Sequence, residues 1–318
     1  MKKVFVLLVC LCVLLGLWGC GAQQQAYPVD ADRIQLDTEY QCDVIGVRPT
    51  GTDKEKQTCD WLEGQLEQMG FSYGEGTLKR ERFEGYPGLY SENLTAVCHP
   101  AHEGPIWCVV AHYDSIEDSP GARDNAVAVS ILLEVARNLV TWQEELEGEV
   151  RLVFLGSEEN GYHGSRAYLE GQSPQELERH RGVINMDISA ATAGEGQLVC
   201  CTLGGQTGEG YREGDFLEPA DNAISRAVGA ACNALYDQEM PVVHGGESDH
   251  VTFHQWEIDC ANVCWRRVDG ITPILPPEYH GADDVPETVD YDTAVITCSC
   301  VLEALRTAAE EYVPPAGT

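Results

Sequence analysis

The sequence predicts an α/β fold, a mainly parallel, mixed central sheet with helices on both faces, and two observations point to it. Strand-like runs alternate with helix-period segments through most of the chain, the pattern that builds a parallel sheet covered on both sides. Three of those runs, Ile106–Ala111, Val150–Gly156 and Val183–Met186, each stop on residues that bind metal well. They run into His112-Tyr113-Asp114, Ser157-Glu158-Glu159 and Asp187. In an open α/β sheet, ligands collect beyond the carboxyl ends of the strands, so a metal site is expected at that edge.

In chain order, residues 1–19 read as an export signal rather than as fold. Lys2-Lys3 is a basic start, and Val4–Leu17 is an apolar run shorter than the roughly 20 residues of a bilayer span. Leu17-Trp18-Gly19-Cys20 resembles the lipobox of bacterial lipoproteins, cut before Cys20 and anchored through a lipid on its sulfur. The alternative is an ordinary signal whose cysteine is incidental. Residues 20–38, which begin with a Gln-rich stretch, read as a tether, and 39–318 as a single domain.

Asp53–Gly70 reads as an amphipathic helix, with Trp61, Leu62, Leu66 and Met69 on one side and Gly70 as its stop. Phe71–Phe83 and Ser91–Cys98 read as strands around a Gly/Pro loop at Gly85–Gly88. A helix is expected from Asp124 to about Val140, its stripe formed by Val127, Ile131, Leu132, Val135 and Leu139. Leu152–Leu155 is a buried strand by length and flanks. Gly164–Leu169 begins the next helix, and Ala190–Gly214, rich in Gly and Thr, reads as an excursion or lid. Asn222–Leu235 and Tyr291–Tyr312 read as helices, the second closing the chain.

Composition narrows the function. Losing Lys2 and Lys3 with the signal takes the formal charge from −32 to −34. Such a chain is not expected to bind nucleic acid or anionic lipid by charge. Its field favours cationic partners such as the free ammonium of a peptide, or simply keeps an exported protein soluble. Of 14 cysteines, Cys10 and Cys12 leave with the signal and Cys20 takes the lipid, so an odd number remains and one at least is free or paired between chains. Cys298 and Cys300 point to different helix faces. Cys260 and Cys264 read as buried apolar residues rather than as a local disulfide or metal pair. Nothing in the sequence marks an oligomeric state.

The strand ends carry the chemistry. His112 and Asp114 are two apart, hence on one face, and Asp114 can accept the second ring N–H of His112 and fix its tautomer. Alone, that pair is equally a surface pair, and Asp124 alone is equally a helix N-cap. Glu158-Glu159 after a buried strand says more, because adjacent carboxylates at a pocket floor repel unless a cation lies between them. Tyr279-His280 supplies a second histidine. Two His, two Asp and two Glu at one edge is the composition of a two-metal hydrolytic site.

The order of the motifs adds a family. His112-Tyr113-Asp114-Ser115, Pro120 to Ala126 with Asp124-Asn125-Ala126, Gly156 to Gly161, Asn185-Met186-Asp187, Ser248-Asp249-His250 and Tyr279-His280 follow one another. The chain thereby resembles the co-catalytic di-zinc exopeptidase family of bacterial leucyl aminopeptidases, glutamate carboxypeptidases and glutaminyl cyclases, over roughly Arg48 to Ala309. The resemblance implies that Asp124 bridges two zinc ions, with His112 and Asp187 completing one site and Glu159 and His280 the other. It implies Glu158 as general base, with Asp283 or Asp284 as candidates to orient His280. Departures are Val127 and Ala128 where small residues are usual, and Gly281 after the last histidine. A tyrosine that polarises the substrate carbonyl in some aminopeptidases is missing from Val243 to Glu247, which leaves His244 as a candidate donor. Asp249 and His250 are candidates to shape the pocket, unless Ser248 merely caps a helix. The implied activity is that of a zinc exopeptidase outside the cytoplasm, an aminopeptidase acting on peptide substrates, held by a lipid anchor. The alternatives are a one-zinc glutaminyl cyclase-like acyltransferase and a non-catalytic lipoprotein that binds peptide or metal.

If the lipobox reading holds, intact-mass analysis of membrane-extracted protein will show an acylated Cys20 as its first residue. A free N-terminus anywhere else would discard the anchor.

Overall fold

Seven-residue apolar runs, buried on both faces, set the frame. The computed structural model describes residues 27–100, 103–142, 148–192, 194–204, 219–245 and 247–311. The export signal, Cys20 and the start of the tether lie outside them. At the centre, β3 (Ile106–His112) lies between β4 (Glu149–Leu155) and β5 (His180–Met186), parallel to both, and β9 (Cys260–Asp269) continues beside β5, again parallel. Every residue of β3 and β4 is buried. On one side β4 carries β2 (Leu89–Cys98) and then β1 (Leu78–Tyr86), both antiparallel steps. On the other, β7 (Gln197–Thr202) pairs antiparallel with β9, and β8 (Val242–His244) pairs parallel with β7. A short β10 (Thr272–Ile274) hairpins back onto β9. The sheet is mixed, with a parallel centre, as the sequence predicts.

Strand alternation divides the interior in two. Val109, Ala111, Leu152, Phe154, Ile184 and Met186 enter one large core. That core is closed by α3 (Val127–Leu139), α6 (Ala223–Tyr236) and α8 (Tyr291–Glu311). Their neighbours Ile106, Cys108, Val110, Val153, Leu155 and Val183 enter a second, with Tyr168 and Leu169 of α4 (His163–Glu170), Leu177 of α5 (Pro174–Arg179) and Phe253 of α7 (His250–Gln255). Helix α2 (Asp53–Gln68) follows the sequence, with Thr52 accepting from Glu55 N at 3.2 Å as its cap.

Three expectations are corrected. The tether reading of 20–38 fails where the chain is described, because Ala31–Glu39 is a helix, α1, packed on α3. Ile34 and Thr38 are buried, and the Thr38 hydroxyl donates to Ser130 Oγ at 2.9 Å. The sequence hid it because the helix is polar all round, Leu36 being 63% exposed. The lid reading of 190–214 fails over its first half. Ala191–Thr192 (β6) pairs with Val289–Asp290 (β11), and Gln197–Thr202 is β7, a buried strand of the main sheet. Residues 205–214 lie outside the described residues. Finally, Asp124 does not open a helix, since α3 starts at Val127 and Asp124 takes φ −121°, ψ 80°. All eleven cysteines from Cys42 onward are free and buried. Cys264 faces Cys201, Sγ to Sγ 3.5 Å, rather than Cys260. Among the described residues no helix is long and apolar enough to cross a membrane.

Because Ile34 fills a sealed position between α1 and α3, Ile34→Ala is expected to cost roughly 2–5 kcal/mol of stability. Urea unfolding reads this directly, and an unmoved midpoint would return the segment to the status of a tether.

Candidate metal centre

The site follows from strand register. His112 pairs with Leu155 across β3 and β4, so the turn after β4 delivers Glu158 and Glu159 beside His112. Asp187 leaves the end of β5 on the other side of β3. Gly121, at φ 62°, reverses the incoming loop toward Asp124, and a Cβ there would meet Asp124 O at 2.3 Å. His280 arrives from the loop after β10. Three residues adjoining or making up this set sit in the left-handed region that non-glycine residues seldom adopt: Ser157 at φ 59°, Ile188 at 54° and His280 at 57°.

Asp124 lies between the two histidines. Its Oδ1 is 3.3 Å from His112 Nε2 and its Oδ2 is 3.4 Å from His280 Nε2. His280 Nε2 is also 3.1 Å from Glu159 Oε2, and His112 Nε2 is 4.0 Å from Glu158 Oε2. Two donors bound roughly 2.0–2.2 Å from one tetrahedral ion stand about 3.4 Å apart, so the three shorter separations already match shared coordination. Ligand atoms of His112, Glu158 and Asp187 come within 4.8 Å of one another, as do those of His112, Asp124 and Glu159. Those two triplets cut across the grouping the resemblance implies. The grouping with His280 fits better, because His280 touches both Asp124 and Glu159. Both ring nitrogens of His112, Glu159 Oε1, Asp187 Oδ1 and His280 Nε2 are enclosed without hydrogen-bond partners. Orphan polar atoms concentrated in one pocket are what a bound cation satisfies.

Around this set the backbone is tied down. Asp114 Oδ1 accepts from Glu158 N (3.1 Å), and Oδ2 accepts from Glu159 N (3.2 Å) and from the Thr50 hydroxyl (3.0 Å). The same carboxylate lies 3.5 Å from His112 Nδ1, as its spacing predicts. Asp284 accepts from Arg123 N (2.8 Å) and Asp124 N (3.1 Å), so it orients Asp124 rather than His280. Asn125 donates to Met186 O (2.9 Å) and accepts from Ile188 N (3.3 Å), bracketing Asp187.

Electrostatics follow burial and crowding. Burial pushes the Glu158 and Asp187 carboxyls up, and Glu159 up to about 7 with Asp124 adding to it. Asp124 goes the other way: burial raises it, but the imidazoles close on either side win and lower it. Burial alone depresses His112, yet Glu158, Asp114 and Asp124 carry it well above the usual imidazole range. The carboxylates of Asp124 and Glu159 beside its Nε2 lift His280 to about 10.

Other candidates fall differently. His244 lies on edge strand β8, paired with Thr202 and with its N–H on Ile271 O, and belongs to neither ligand cluster. His250 is sealed, Nε2 donating to Gly245 O at 3.2 Å, and burial lowers it to about 3, so it stays neutral and out of reach of substrate. Asp249 is buried with both oxygens unpartnered, and its charge acts on Glu158. Ser248 caps nothing; its hydroxyl accepts from Asn185 Nδ2 at 2.9 Å. Sequence reasoning overlooked Tyr279, whose ring stacks on His280 at 3.7 Å. Its phenol is held protonated by burial and by the charges of Asp124, Asp187, Glu159 and Glu158. Its adjacency to His280 was the available signal.

A parallel sheet whose strand ends gather two imidazoles and four carboxylates around shared atoms defines a metal-dependent hydrolase scaffold. The chain belongs to peptidase family M28, whose model matches residues 93–305. It is 32% identical over 218 residues to the aminopeptidase YwaD of Bacillus subtilis, a match spanning 68% of this chain and 43% of that protein's length. A zinc aminopeptidase from Bacillus subtilis has the same fold, with TM-score 0.76 at 19% identity over 92% of this chain and 97% of the other. A Bacteroides thetaiotaomicron glutaminyl cyclase shares it at 0.69, with 21% identity over 88% and 99%. The family read from the ordered motifs is borne out.

Without metal His280, lifted to about 10, is protonated at pH 7, and the carboxylates around His112 shift it in the same direction. A ligating imidazole is neutral, so zinc affinity is expected to rise as pH climbs from neutral toward 10. His280 and the raised Glu159 carboxyl both give up protons to a bound ion, so loading at pH 7 will release at least one proton per chain. Calorimetry in buffers of different ionisation enthalpy counts them, and a count near zero would contradict the electrostatics described.

Proposed function

We propose that the protein is a zinc-dependent aminopeptidase that takes N-terminal residues off peptides and works outside the cytoplasm, lipid-anchored at Cys20. The family and the ligand geometry support the chemistry. The basic start, apolar run and Gly19-Cys20 junction support the address. One observation carries the reading: the two oxygens of Asp124 face different histidines, at 3.3 and 3.4 Å, as a carboxylate shared by two ions requires.

In this reading His112 and Asp187 hold one ion, Glu159 and His280 the other, and Asp124 both. Two zinc ions bound there would polarise the scissile carbonyl and ease deprotonation of the attacking water. Glu158, buried and fixed through its N–H to Asp114, takes that proton and delivers it to the leaving amine. Tyr279, stacked on His280 and kept as a phenol, is our candidate to donate to the carbonyl oxygen as charge develops, the role that the sequence left to His244. The carboxylate-rich pocket attracts the free ammonium of a peptide's N-terminus.

Glu158→Gln keeps shape but cannot accept a proton. It is expected to lower turnover of aminoacyl amides roughly a hundred- to ten-thousand-fold with zinc content unchanged. Glu159→Gln is expected to lose zinc and activity together. Elemental analysis beside a panel of aminoacyl and N-acyl peptides reads both. Opposite zinc phenotypes would reverse the two roles, and one zinc with cyclisation of N-terminal Gln peptides would replace the peptidase by a cyclase.

A further inference from the structure

Three buried arginines surround the metal centre, and they are employed very differently. Arg48 donates to three carbonyls: Nε to Tyr113 O (2.7 Å), and its terminal nitrogens to Pro120 O (2.6 Å) and Gly121 O (3.0 Å). Arg123 is committed to Ala190 O, the Thr192 hydroxyl and Glu278. Arg266, on β9, is only 6% exposed, yet its Nη1 is enclosed with no hydrogen-bond partner among the described residues. Asp187 and Asp124 act on it through space, without a hydrogen bond to it. A buried guanidinium with an idle donor is costly, and such a group commonly marks a ligand position.

Location supports a ligand. Trp265, one residue before, donates its backbone N–H to Ile188 O at 2.9 Å, which sets Arg266 alongside the end of β5 that presents Asp187. Trp265 itself enters the large core, so by alternation the Arg266 side chain leaves on the other face. Arg266 and Arg123 both line an open cavity of about 140 Å³, together with the exposed Ile274 and Leu275. Its acid, Glu195, is half-exposed and turned to Arg267 at 3.8 Å. What this position offers is a positive charge with a planar, two-pronged donor set beside a metal centre, the partner of a carboxylate.

We propose that Arg266 receives a carboxylate of the peptide substrate and makes the enzyme selective for peptides that carry one next to the scissile bond. The inference rests on the peptidase reading and specifies its substrate class. Two groups share this chemistry: the side chain of an N-terminal Glu or Asp, and the free α-carboxylate of a dipeptide.

The experiment compares matched pairs on zinc-loaded enzyme: Glu-Ala-amide against Gln-Ala-amide, and Ala-Ala against Ala-Ala-amide. In one pair the carboxylate-bearing member is expected to have kcat/KM at least about tenfold higher, and which pair it is identifies the source. Arg266→Gln is expected to bring that ratio toward one, and Arg266→Lys to keep part of it. A ratio near one in both wild-type pairs overturns the proposal, as does an undiminished ratio in Arg266→Gln. The wild-type ratios are decisive even if the variant does not fold. No turnover of any of the four would instead count against the peptidase reading.

Discussion

Charge crowding at one strand edge is the constraint on which the rest of this site depends. Glu158, Glu159, Asp187 and Asp249 all have their carboxyls raised, with burial as the first cause, because a carboxylate leaving water without a cation loses its solvation. Asp124 alone is lowered, since it has an imidazole on either side. The two histidines are raised for the complementary reason. The polypeptide alone therefore balances this pocket with protons. Divalent cations supply the same positive charge to the same oxygens, which is why the ligand separations need little change to accept them.

Such a pocket relaxes unless its loops are held, and the holding is done by side chains that bind backbone. Asp114 takes the amides of Glu158 and Glu159, Asp284 those of Arg123 and Asp124, and Asn125 clasps the chain on both sides of Asp187. Each of these residues sits within two positions of a metal-facing one or bonds straight to its neighbour. The left-handed backbone at Ser157 and Ile188 lies beside or within these bonds, which hold it. Arg48 extends the same logic outward, since its three carbonyl bonds pin the loop that carries Gly121 toward Asp124. Loss of any of these anchors would act on a bound ion through the angle of a side chain that faces it rather than through that side chain's chemistry.

How much of this was legible depends on what a residue's partner is. The parallel centre of the sheet and four of the six metal-facing residues, His112, Glu158, Glu159 and Asp187, stand at strand ends or in the turns directly after them, so sequence periodicity exposes them, whereas Asp124 alone reads as a helix N-cap. His280 came only from the ordered motifs, because a Tyr-His in a loop has no local signature. The roles of Asp284 and Asn125 were hidden because each binds a backbone far along the chain, at Arg123 and at Met186. Helix α1 escaped because its two buried positions, Ile34 and Thr38, make no stripe in a polar segment, and its hold on the fold is a hydroxyl pair with Ser130. Strand β7 was mistaken for part of a lid because Leu198 to Cys201 is short and flanked by glycine and threonine, while its burial comes from β9 and β8 on either side.

The scarcity of positive charge gives the arginines their meaning. The chain has 20 Lys and Arg against 52 Asp and Glu, and so scarce a positive charge costs free energy to bury without a partner. Only Arg48, Arg123, Arg151 and Arg266 are buried among the described residues, and three of those four flank the metal centre. Arg48 and Arg123 have their donors consumed by carbonyls and by Glu278, so their burial is explained by the loops they hold. Arg266 has no such employment, although Asp187 and Asp124 lie close enough to act on it. A counter-charge for those two would gain most by hydrogen-bonding one of them. Standing off from both while lining a cavity, it retains the reach and the free donors to engage a carboxylate that arrives with the substrate.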